Sequence, residues 1–145
     1  MRLWLATLFA AGVIGSPVTY LGGTSALLTR GEALRIDTTG HQLKIFSEKR
    51  AISVPYDDIN LIEYGQKVNP RILEAVIISP LLLLSKKKDH YLTLGYRDTD
   101  GHQQALVFEV PKASLRPLLF SLESKTGLKV DHQDSTARRD PKGSR

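Results

Sequence analysis

Two alternating apolar runs meet at Asp98-Thr99-Asp100-Gly101, and this arrangement restricts the possible folds more than any other stretch of the chain. Leu92, Leu94 and Tyr96 lead into the turn at period two, and Leu106, Phe108 and Val110 lead away from it. Side chains two apart on a strand share a face, so each run has one face to give to a core. Asp-Gly supplies the positive φ that a tight hairpin turn requires. The spacing predicts a β-hairpin, and a β-rich domain around it.

The same period appears upstream. Leu34 and Ile36 share a face, Thr38-Thr39-Gly40-His41 supplies turn residues, and Leu43 and Ile45 resume the alternation. Ile52, Val54 and Tyr56 predict a third strand, which Pro55 confines to a sheet edge or a strand end. A fourth follows from Ile59 to Gly65. Asp57 and Asp58 between them predict a turn, because adjacent residues on an extended chain point to opposite faces and do not converge on one ion. Downstream, Leu115, Leu118, Leu119 and Leu122 recur at helical spacing and predict an amphipathic helix over Leu115–Thr126. Ser114 is its expected N-cap, Pro117 falls in the first turn, and Gly127 suits the left-handed position after the last turn. The fold class is therefore α+β, mainly β: a bent antiparallel sheet or partly open barrel with one C-terminal helix.

Arg2 followed by the uncharged apolar run Leu3 to Ile14 reads as an export signal, with retention as an N-terminal membrane anchor the alternative. Small residues suited to cleavage occur at Ala10 and Gly12, and again at Gly23 and Ser25. The expected organisation is a signal or anchor over 1–28, one β-rich domain over 29–130, and a polar tail over 131–145 that lacks large apolar residues and is expected to be disordered. The expected location is outside the cytoplasm, in the periplasm or cell envelope.

Composition limits the chemistry. The chain has no cysteine, which excludes disulfides, thiolate metal sites and cysteine nucleophiles. Its net charge of +5 comes from scattered residues and one cluster, Lys86-Lys87-Lys88, so nucleic acid is not an expected partner. His41, His90, His102 and His132 show no metal-ligand spacing, and no phosphate-binding, dinucleotide-binding, nucleophile-elbow or zinc-protease motif occurs. No catalytic, cofactor-binding or metal-binding residue is expected.

The stretch Ile72 to Leu84 is apolar except for Glu74, Ser79 and Pro80, and three lysines follow it closely. It is too short to cross a bilayer as a helix. One reading makes it a short helix over about 70–78 leading into an apolar strand. The other makes it an interfacial contact in which Ile77, Ile78, Leu81, Leu82, Leu83 and Leu84 meet lipid or a partner while Lys86, Lys87 and Lys88 reach anionic head groups.

Serial short strands closed by one amphipathic helix resemble the plan of a pleckstrin-homology-like barrel. Ile52-Ser53-Val54-Pro55-Tyr56-Asp57-Asp58-Ile59 is similar to a strand of bacterial PH-like and GRAM-like domains, and the resemblance covers Gly31 to Val130. Glu63-Tyr64-Gly65-Gln66, the stretch Ser85 to Leu94 and Leu122 to Gly127 resemble small exported bacterial proteins. The resemblance implies a fold without fixing an activity. It places the first strand–loop–strand at Thr38-Thr39-Gly40-His41, where only Arg35 and Lys44 lie nearby, so the phosphoinositide role of eukaryotic relatives does not carry over. The functional expectation is a non-catalytic binding module of the cell envelope holding a peptide, protein or lipid surface. A domain acting by self-association is the alternative. An envelope protein, an anionic membrane surface or a second copy of the chain is the expected partner, with no cofactor.

Overall fold

The computed structural model describes residues 15–67, 77–78 and 90–132. The architecture is α+β and mainly β, one open sheet with a single helix among the described residues. The strands are β1 (Ser16–Gly23), β2 (Ala33–Asp37), β3 (Gln42–Phe46), β4 (Ala51–Pro55), β5 (Ile59–Gly65), β6 (Ile77–Ile78), β7 (Tyr91–Arg97), β8 (Gln103–Glu109) and β9 (Asp131–His132). Helix α1 (Lys112–Thr126) follows β8.

The strand order is β4-β3-β2-β1-β8-β7-β5-β9, with β6 added to β1. All the pairings are antiparallel except that of β5 with β9. One turn of 3-10 helix, Tyr56–Asp58, joins β4 to β5, although these strands stand six places apart in that order. Six gaps of about 4.8 Å would hold them about 29 Å apart in a flat sheet. A three-residue 3-10 turn advances only about 6 Å. The sheet must bend back on itself, and its concave side closes around the core.

The sequence period decides which residues enter that core. Leu34 and Ile36, Leu43 and Ile45, Leu92 and Leu94, and Leu106 and Phe108 all point inward and are nearly inaccessible. The leucine face of α1, Leu115, Leu118, Leu119 and Leu122, packs against them together with Tyr56. Gly101 at the predicted hairpin has φ 81°, as its turn demands. Gly127 ends α1 at φ 74°, and its N–H donates to the Glu123 carbonyl at 2.9 Å.

Several expectations need correction. The boundary at residue 29 is wrong, because β1 lies in the middle of the sheet, paired with β2 on one side and β8 on the other. Val18, Tyr20, Leu21 and Leu28 are buried, so residues 16–28 belong to the domain. A glycine-rich stretch with a bulge between Tyr20 and Gly22 hides the strand period there. The first strand–loop–strand is consequently β1, the loop from Thr24 to Glu32, and β2, rather than Thr38 to His41. The boundary at 130 moves too, since Asp131 and His132 pair with Glu63 and Tyr64. Helix α1 begins three residues earlier than predicted, with Pro111 at the cap position and no side-chain cap, so Ser114 lies inside it. Pro117 is then in the second turn, where it cannot donate to the exposed Ala113 carbonyl. Residues 1–14 and 133–145 lie outside the described residues. Among those described, no helix is long and apolar enough to cross a membrane.

Because β1 joins both halves of the sheet, a chain starting at Ser16 is expected to melt cooperatively, whereas one starting at Ala26 is expected to be unfolded by circular dichroism. Equal melting of the two truncated chains would contradict the central place of β1. Burial, with a smaller contribution from Tyr96 and a partial offset by Arg30, pushes the Tyr20 phenol up to about 12. A raised folded-state value stabilises the neutral form, so this contribution is full below about 10 and is lost as pH rises towards about 12. The Tyr20 hydroxyl makes no hydrogen bond among the described residues. Tyr20→Phe is therefore expected to leave stability at neutral pH unchanged or slightly higher and to reduce its alkaline loss, read from urea melts between pH 8 and 11.

Candidate functional site

Outward-facing residues of β1, β2 and β3 alternate with the core positions and line a groove of about 770 Å³. Pro17, Ala33 and Phe46 form its floor, and Pro111, at the start of α1, closes one end. Arg35 lies between Pro17 and Phe46, because it is the register partner of both. The tight turn from Ser47 to Arg50 makes the other wall, held by the Ser47 N–H donating to the Arg50 carbonyl at 2.8 Å. Lys44 places its ammonium 5.3 Å from the centre of the Phe46 ring, which fixes the aromatic face beside the groove.

Glu32 anchors this wall. Its carboxylate accepts from the Thr29 N–H at 3.3 Å and the Ser47 hydroxyl at 3.3 Å, with the Arg50 guanidinium 3.7 Å away. Arg50 also donates to the Leu27 carbonyl, tying the β1–β2 loop to the β3–β4 turn. The groove therefore has a preformed wall, an apolar floor, and both signs of charge at its rim from Arg35 and Lys49 against Glu32 and Glu48. Concave, mostly apolar surfaces with a few placed polar groups are what ligand sites look like.

A second cluster lies at the end of β5. The Tyr64 hydroxyl and His90 Nδ1 are 2.6 Å apart, and their rings stack with centroids 5.7 Å apart. His132 meets the edge of the same tyrosine ring at 5.6 Å. Sequence spacing missed this grouping because β5, the start of β7 and β9 are far apart in the chain. His132 remains exposed, although it pairs with β5 and is not part of a free tail. The phenol–imidazole pair links β5 to the residue before β7, and His132 of β9 lies against the same tyrosine ring.

Asp98, Asp100 and His102 bring their ligand atoms within 4.8 Å of one another, the one grouping among the described residues able to hold a metal. Asp98 is already engaged by its own turn. One carboxylate oxygen accepts from the N–H groups of Asp100 at 3.0 Å and His102 at 2.8 Å, and the other accepts from the Gln104 amide at 2.8 Å. The His102 backbone bond is the main cause that holds the Asp98 carboxyl below its ordinary range. This is the chemistry of a hairpin cap, which stabilises above the ordinary aspartate pKa and is lost as acid protonates the group.

Of the residues expected at an interface, Ile77 and Ile78 pair with Gly23 and Gly22 of β1. This makes them strand where a helix was expected over 70–78. Leu81, Leu82, Leu83, Leu84, Lys86, Lys87 and Lys88 lie outside the described residues. The groove was not legible beforehand, since its floor is assembled from strands whose partners only the sheet order reveals.

Asp98→Ala is expected to lower the melting temperature at pH 7 and to cost less at pH 2, as acid protonates a carboxyl held below its ordinary range. An equal loss at both pH values would show that the carboxylate charge is not what the turn uses. No family model, curated protein or solved structure matches the chain.

Proposed function

We propose that the chain is a non-catalytic binding module of the bacterial cell envelope, PH-like in plan, that holds an extended segment of a protein partner in the groove over β1, β2 and β3. The observation that carries this reading is the groove itself, a preformed channel with an apolar floor and mixed charge at its rim. An extended peptide supplies alternate apolar side chains for Pro17, Ala33 and Phe46, and polar neighbours for Arg35, Lys49 and Glu48. A lipid head group would call for a surface of one sign, which Glu32 and Glu48 deny. The PH-like plan is supported by the strand order and by a C-terminal helix whose leucines pack into the bent sheet. Envelope placement is supported by Arg2 and the apolar run that follows it.

A displayed random-peptide library selected on the full chain tests the proposal. Recovered peptides are expected to lose about tenfold or more in affinity on Phe46→Ala, the size of an aromatic anchor worth about 1.4 kcal/mol. Peptides whose binding ignores both Phe46→Ala and Arg35→Gln would overturn it. A concentration-dependent dimer in sedimentation that Phe46→Glu dissolves would instead assign the groove to self-association.

A further inference from the structure

We propose that the apolar stretch Ile72–Leu84 is a second layer of this domain, seated on the outer face of β1, β8, β7 and β5. Three observations converge on that face.

The first is topological. β5 ends at Gly65 beside Tyr91, where β7 begins. Between them the chain visits β1, because Ile77 and Ile78 pair with Gly23 and Gly22. Both glycines also lie in the β1–β8 pairing, so β6 is on the opposite edge of β1, past the end of β2. A path over the outer face from Gly65 to β6, and another from β6 back to Tyr91, would each pass β7, β8 and β1. Four strand gaps and about three residues of rise amount to about 22 Å. Residues 66–76 and 79–90 can each reach about 36 Å when extended, so both passes fit with length to spare.

The second is burial. Leu21, Val107, Thr93 and Glu63 are 1%, 0%, 2% and 8% exposed. Val107, Thr93 and Glu63 are register partners in one row across β8, β7 and β5, and each alternates with residues that point into the core. They consequently face outward. Leu21 and Val107 stand outside the core cluster that contains the helix leucines. A face turned away from the core is nonetheless dry.

The third is pattern. The row is apolar at Leu21 and Val107, with the acids Glu63 and Glu109 on the same outer face. The stretch is apolar between Arg71 on one side and Lys86-Lys87-Lys88 on the other. An apolar centre with opposite charges at the margins is the match a docked segment needs.

The absence of native cysteine makes thiol protection a clean test in the full chain. The thiol from Val107→Cys is expected to react with N-ethylmaleimide as slowly as a core control, Leu106→Cys. Replacing Leu81, Leu82, Leu83 and Leu84 by serine is expected to speed labelling at the Val107 position at least about tenfold, with the Leu106 control unchanged. No acceleration would overturn the proposal. Should the four serines speed both sites, Leu83→Ala replaces them, and an equal rise at both positions or at neither then overturns it. Anionic phosphatidylglycerol vesicles form the remaining arm. Unchanged protection with vesicles present is expected, and faster labelling at the Val107 position together with pelleting would assign the stretch to the membrane instead.

Discussion

Three residues, Tyr56 to Asp58, tie together strands that the hydrogen-bond order places six gaps apart, and the rest of the structure follows from accommodating that tie. A sheet so constrained cannot stay flat, so its inward rows converge and a core forms from one set of alternating side chains. The turn is itself fastened: the Tyr56 hydroxyl donates to the Thr38 carbonyl at 2.9 Å, and Lys125 of α1 lies 6.0 Å from the Tyr56 ring centre. Burial is the main cause that raises the Tyr56 phenol above its ordinary value, so it stays a neutral donor at physiological pH. The helix docks on this same turn and on β1, which places it where the bent sheet would otherwise leave apolar residues open to water.

Bending also makes β1 the strand on which both halves depend. Along one edge it pairs with β2 and then β6, and along the other with β8 from Thr19 to Gly23, where the bulge falls between Tyr20 and Gly22. Gly23 permits the close approach there. A Cβ at this position would lie 2.3 Å from the Ala105 carbonyl oxygen and 2.7 Å from the Tyr20 hydroxyl, and the first contact is with backbone that cannot swing aside. The glycines that made this stretch look like the ragged end of a targeting segment are what let three strands and a buried tyrosine meet in one place.

That contrast explains what could be read from the residues alone. Regular alternation around Asp98–Gly101, through Leu34 to Ile45, and the leucine spacing of α1 were legible because each element carries its own period and its own turn chemistry. β1 was not, since a bulge shifts the period and its apolar side chains merge with the run before them. β9 is two residues long and has no pattern to find; it pairs with β5 at Glu63 and Tyr64, where His132 meets the tyrosine ring edge-on. The groove has no local signature either. Arg35, Phe46 and Pro17 are separated in sequence, and only the register of three strands lines them up.

The faces of the sheet thus divide the work. The inner rows are consumed by the core, and the outer row from Leu21 to Glu63 is dry, so neither is free to receive a partner. What remains is the outer surface of β1 to β3, where the sheet turns away from β8 and the Glu32–Arg50 tie holds two loops as a wall. A rigid wall beside an apolar floor loses little conformational entropy when something binds, which is the property a recognition surface needs and a merely exposed patch lacks. Bending makes the core, and on the outer side of the sheet the turn from Ser47 to Arg50, standing beside β1 to β3, makes the groove.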